Sequence, residues 1–108
     1  MDSTTALWTD QEQALARDAF ERACRRSGEA LILAVQHQAG LLGSLDDLWQ
    51  LHDFLSIQRH AIEGRSEFRL DGILFVLASF VKEGLLELEE LDGLDAEKLG
   101  KVAAMARF

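Results

Sequence analysis

Between Asp10 and Gly40 almost nothing in the sequence stops a helix. No proline occurs anywhere in the 108 residues, and only Gly28 interrupts the run. A single internal glycine costs roughly 1 kcal/mol relative to alanine and permits a bend, but it does not end a helix. Thr9-Asp10-Gln11-Glu12 provides a start, with Thr9 as N-cap and Glu12 three residues on as its reciprocal partner. A helix of this span is roughly 45 Å long at ~1.5 Å per residue, against a radius of gyration near ~13 Å for a compact chain of this size. One chain cannot cover such a rod. Its first half carries Asp18 with Arg22 and Glu21 with Arg25, acid-before-base pairs that suit an exposed helix. Its second half, Ala30 to Val35, is apolar around the whole circumference and demands burial on more than one side. A homodimer in which each long helix packs on its partner meets that demand.

The rest of the composition agrees with helices. Leu, Ala and Glu dominate a chain that is 48% hydrophobic, and the expected class is all-α: a long N-terminal helix plus three shorter helices in a homodimeric bundle. The length suits one domain over residues 9–108, preceded by a flexible tail over residues 1–8. A net charge of -8 opposes nucleic-acid binding, which needs concentrated positive charge. Cys24 is the only cysteine, so no internal disulfide forms, and no metal-ligand cluster accompanies it. The start MDSTTALWTD has no basic segment followed by a long apolar one, and the longest apolar run, Ile73 to Val81, is too short for a bilayer. A soluble, cytoplasmic protein is expected.

The stretch from Asp46 to Arg65 reads as one helix. Ser44 is its N-cap, with Asp47 three residues on, and Gly64 is expected to end it in the left-handed conformation. Leu48, Leu51, Phe54, Leu55, Ile57, Ala61 and Ile62 fall on one half of the wheel, an expected core-facing stripe. The other half carries Trp49, His52, Asp53, Ser56, Arg59, His60 and Glu63. An indole in the middle of a polar face is not explained by the core of its own chain. His52 and His60 lie about 12 Å apart along the axis, too far to share a metal within one chain. His52 beside Asp53 suggests an acid/base pair, but no nucleophile elbow, Gly-rich phosphate loop or paired catalytic motif accompanies it, so no enzyme activity and no cofactor are expected. Asp53 and Arg59 are six residues apart, which favours an ion pair across a twofold axis over one within the helix.

Beyond this stretch, the run ILFVLASFV reads as a third helix that stops at Lys82-Glu83-Gly84. Leu70, Ile73, Leu77, Phe80 and Val81 share one side, whereas Phe75 falls among Asp71, Ser79 and Lys82, a second aromatic on a polar face. A covering loop, a partner subunit and a free binding role all fit that placement. Leu85 to Asp92 is acidic and reads as a solvated linker. Asp95 caps a last helix, on which Lys98, Lys101 and Arg107 form an expected positive face.

DDLWQLHDFLSIQRHAIEGR, continuing through ILFVLASFVKEGLL and ending in AMARF, closely resembles the fluorescence recovery protein family of cyanobacteria, at nearly matching length. The resemblance is densest from Asp46 to Leu86 and includes LWxLHDFL with the RH pair after it. It implies a small all-helical homodimer, without enzymatic activity, that binds the photoactivated orange carotenoid protein. By resemblance it speeds that protein's return to the resting form, and so ends quenching of the phycobilisome antenna. Peripheral association with thylakoid-bound phycobilisomes follows from the same likeness. Trp49, His52, Asp53 and Arg59 fall on the family's functional cluster, Phe75 and Lys101 on positions of contact with the carotenoid protein, and Ile32 where the family dimerises. Ser27-Gly28, Gly40, Gly43 and Leu77 depart from the family pattern, Leu77 standing where an aromatic is known. The alternative is a family-like dimer that binds a different protein partner in an organism without that photoprotection system. An enzyme using His52 and Asp53 is a third class.

Overall fold

Thr9 and Glu12 close a reciprocal cap: the Glu12 N–H donates to Thr9 Oγ1 at 3.0 Å and the Thr9 N–H donates to Glu12 Oε1 at 3.1 Å. Helix α1 then runs over Asp10–Gly40 as one 31-residue element, uninterrupted at Gly28. The computed structural model describes residues 8–108, so the expected tail lies outside the described residues except at its last position. There the expectation is corrected, because Trp8 is buried and its ring lies 5.0 Å from Lys98 Nζ.

Helix α2 spans Leu45–Glu63, α3 spans Ile73–Lys82, a short 3-10 turn covers Leu88–Leu91, and α4 spans Ala96–Ala106. The class is all-α, as the sequence implies. Ser44 Oγ accepts the Asp47 N–H at 3.0 Å, and Asp47 Oδ2 accepts the Gly43 N–H at 3.0 Å, which fixes the start of α2 from both directions. Its end differs from expectation. Gly64 is right-handed, with φ -69° and ψ -16°, and its N–H still donates to His60 O at 3.0 Å. The chain leaves this helix by continuing its own turn, with the Arg65 N–H on Ile62 O, so no left-handed residue is needed. At the end of α3 the expected stop is present: Gly84 has φ +79°, the Leu85 N–H reaches Phe80 O and the Gly84 N–H reaches Val81 O.

The chain divides into two compact units, residues through Ala23 together with Phe68–Phe108, and Cys24–Glu67. All the buried hydrophobic residues described belong to the first. Ala16, Ala19, Phe20 and Ala23 form a buried stripe on α1, so the half of the helix expected to be exposed is the half that enters a core. The Asp18–Arg22 pair is made at 2.9 Å on the outer side, while Arg25 turns toward Glu29, its Nε 4.0 Å from Oε1, where Glu21 was the expected partner. Phe20 anchors the stripe, its ring 5.6 Å from that of Phe68 and 6.1 Å from that of Phe80. Ile73, Leu77 and Phe80 of α3 and Val102 of α4 complete the core.

The acidic linker is also corrected. Glu87 and Glu89 are exposed, but Glu90 is half-buried, Leu86 and Leu91 are buried, and Glu87 and Glu90 cap the short turn between them. Gly93, just after that turn, has φ +118°, and a Cβ there would stand 2.6 Å from Leu15 Cδ1. The left-handed φ strains any side chain here and so favours glycine, while the movable end of Leu15 could give way to a Cβ.

In the second unit, α2 has no buried residue. Asp47, Leu51, Gln58 and Ile62 are half-buried, whereas Leu48, Phe54, Leu55 and Ile57 of the expected core stripe are exposed. The reason is geometric: two helical segments cover one another along a single narrow stripe, and a broader apolar face needs a third surface. The all-round apolar segment of α1 shows the same deficit, with Ile32 59% and Leu33 67% exposed. No helix among the described residues is long and apolar enough to cross a membrane.

Candidate partner-binding surfaces

On the polar face of α2, Trp49 is 55% exposed. Its ring meets the His52 imidazole edge-on, with centroids 6.3 Å apart and planes at 89°. The spacing i, i+3 puts the two on one side of the helix, and this contact gives the indole a fixed edge. His52 Nδ1 in turn lies 3.3 Å from Asp53 Oδ1. Arg59 Nε donates to Glu63 Oε1 at 2.7 Å, one turn further on, and that hydrogen bond holds the guanidinium above its ordinary pKa. Within the chain, therefore, Asp53 faces His52 and Arg59 faces Glu63, and the two are not brought together. The His52–Asp53 contact lies on an open surface, its side chains 70% and 76% exposed, without the desolvated cleft that tunes an acid/base pair. No group of three or more metal-ligating side chains occurs among the described residues.

The first unit presents a different surface. Phe75 is 68% exposed, because its position on α3 places it opposite the buried Ile73, Leu77 and Phe80. A cavity of about 350 Å³ between α3 and α4 is lined by Phe75, Ala78, Ser79, Lys82, Met105 and Phe108. The i, i+4, i+7 spacing of Phe75, Ser79 and Lys82 makes one wall, and Met105 from α4 makes the other. Lys101 is exposed one turn before Met105 and pairs with Glu97 at 3.3 Å. Lys98 does not join it. Contrary to the positive face expected on α4, Lys98 is buried, its Nζ 3.2 Å from Glu12 Oε1 and 2.8 Å from Asp95 Oδ2. Phe75 and Lys101 stand out in the sequence; Met105 and Phe108 do not. Met105 carried a usable signal, its four-residue spacing from Lys101.

Residues 8–106 match the family described as the photoprotection regulator fluorescence recovery protein. The chain belongs to the fluorescence recovery protein family. The fluorescence recovery protein of Synechocystis sp. is 42% identical over 108 residues, covering 100% of this chain and 99% of that protein. Two solved structures are similar throughout. The fluorescence recovery protein of Fremyella diplosiphon aligns with a TM-score of 0.85 at 42% identity, over 94% of this chain and 99% of that one. That of Synechocystis sp. aligns at 0.83 and 44% identity with the same coverage. As in the rest of the fluorescence recovery protein family, the architecture is all-helical, and the departures at Gly28, Gly40, Gly43 and Leu77 leave it intact. Leu77 is fully buried and fills its core position without an aromatic ring.

Proposed function

We propose that this protein is a non-enzymatic regulator that binds the photoactivated orange carotenoid protein, accelerates its return to the resting orange form and so ends phycobilisome fluorescence quenching. It works as a cytoplasmic homodimer, peripheral to thylakoid-bound phycobilisomes. Membership of a photoprotection regulator family supports the process. The observation that carries the binding role is exposed apolar surface: among the described residues, ten of the twelve exposed large hydrophobic residues lie between Ile32 and Ile57, and the other two, Phe75 and Phe108, flank one cavity. A soluble chain keeps such surface only for partners. The concentration between Ile32 and Ile57 supports self-association there, and the separate surface at Phe75 and Lys101 supports contact with the carotenoid protein.

Acceleration requires that the returning arrangement of the carotenoid protein's domains be bound more tightly than the activated one. Exposed aromatics, Trp49 and Phe75, supply contact area at little conformational cost, while His52, Asp53, Arg59 and Lys101 fix orientation. The test is direct. Purified protein mixed with photoactivated carotenoid protein should shorten the dark recovery of its absorbance in proportion to the amount added; an unchanged rate at molar excess would contradict the proposal.

A further inference from the structure

The start of α4 is held by the start of α1. Glu12 Oε2 accepts the N–H of Asp95, the residue that caps α4, at 2.9 Å, and Lys98 Nζ lies 3.2 Å from Oε1 and 3.3 Å from Oε2 of the same carboxylate. Asp95 closes the set from its own side, with Oδ1 accepting the Lys98 N–H at 2.8 Å and Oδ2 accepting the ammonium at 2.8 Å. The Trp8 ring covers that ammonium, and Glu12 and Lys98 are both buried. Hydrogen bonds between charged groups are short and directional. One carboxylate of α1 therefore fixes both where α4 begins and how it is rotated about its own axis.

None of these residues lines the cavity beside Phe75. Lys98 nevertheless shares its side of α4 with the contact residues: Lys101 and Met105, three and seven positions on, fall within about 60° of it at ~100° per residue. Between the clamp and those two side chains stands Gly100, which weakens a helix interior. No close approach requires a glycine there, since a Cβ would meet nothing within 4 Å. With only 11 residues, α4 depends on its packing for order.

We propose that Trp8, Glu12 and Lys98 are positioning residues for partner recognition: their clamp on the first turn of α4 holds Lys101 and Met105 in place for the carotenoid protein, against the looseness that Gly100 allows. This rests on the reading above that the surface at Phe75 and Lys101 contacts that protein. A partner that meets side chains already in place orders less on binding, so the clamp contributes affinity without touching the partner.

Two variants test this from opposite directions. Glu12→Gln keeps the shape of the side chain and removes the charge that holds Lys98. Backbone order parameters from nuclear magnetic resonance relaxation should fall over residues 99–106 and stay unchanged over residues 73–80. Titration with photoactivated carotenoid protein should show binding weaker by roughly threefold to tenfold, the range for one side chain that must be ordered anew. Gly100→Ala stiffens α4 from a position about 140° around the helix from Met105. It should tighten binding by the parent and recover much of the loss when combined with Glu12→Gln. Phe20→Leu, a truncation among the core rings, separates positioning from stability: it should lower the melting temperature and leave binding unchanged. An equal loss of binding in Phe20→Leu and Glu12→Gln, no tightening by Gly100→Ala, or unchanged order over residues 99–106 in Glu12→Gln would each overturn the proposal. The order measurement needs no partner, so failure of the parent protein to bind the carotenoid protein would count against the proposed function and leave this arm decisive for the clamp.

Discussion

Phe75 and Leu77 are two positions apart on α3 and have opposite fates, one 68% exposed and the other fully buried. The difference dictates opposite responses to truncation. Leu77→Ala should cost about 2–5 kcal/mol, read as a large fall in melting temperature, because the cavity lies in a close-packed core. Phe75→Ala should change the melt by less than about 1 kcal/mol and weaken partner binding instead. A melt of Phe75→Ala as low as that of Leu77→Ala would make Phe75 a core residue. The buried charges give the other residue-scale prediction. Glu12 accepts hydrogen bonds from the Thr9 N–H, the Asp95 N–H and Lys98, and the first of these does most to hold its carboxyl below the ordinary 4.5 against the opposing effect of burial. Asp95 is held below 3.8, chiefly by its hydrogen bond with Lys98, and Lys98 is held above 10.5, chiefly by Asp95. Depressed carboxyl values mean that their stabilisation is complete above about 4.5 and is lost as pH falls through the folded-state values. A raised lysine contributes fully below 10.5 and loses its share as pH rises past it. Stability should therefore be flat across neutral pH and fall at both extremes. Lys98→Met, which leaves Glu12 buried without its cation, should cost about 3–5 kcal/mol and flatten the alkaline limb.

At the scale of elements, the first half of α1 enters a core where an exposed face was expected, and the second half is left open by its own chain. The first half makes a core through alanines, whose small side chains give a weak periodic signal beside the conspicuous Asp18–Arg22 pair. The second half, with its unmistakable apolar run, is left uncovered by its own chain at Ile32 and Leu33. Composition identified the need for burial, but only packing decides whether the same chain supplies it. Ile32→Glu tests this segment cleanly, because an exposed position tolerates a carboxylate in the single chain while a twofold interface would bury two like charges at a penalty of several kcal/mol. Light scattering should report a folded monomer; a tight dimer would move the interface elsewhere. Helix boundaries were legible where the signal is local: the caps at Thr9, Ser44 and Asp95 each act within three residues. Gly64 was not, since a glycine permits a left-handed end without requiring it. Nor was the buried Lys98, whose partner Glu12 is 86 positions away and leaves no local trace.

For the whole molecule, the fold class and family were readable because helical periodicity and the LWxLHDFL stretch are local features of the chain. Which apolar faces stay open was only half readable: the wheel placed Trp49 and Phe75 outside, but it also placed Phe54 and Ile57 inside, and both are exposed. A wheel ranks directions and cannot count neighbours. In the proposed function, the exposed aromatic on α3 serves recognition, and recognition produces the acceleration. The measurement that tests it most directly is the dark recovery rate of photoactivated carotenoid protein with equal amounts of the parent protein and of Phe75→Ala, each verified as folded and equal in mass by melting and light scattering. The account predicts rapid recovery with the parent and a rate close to spontaneous with the variant. Equal acceleration by both proteins would contradict it.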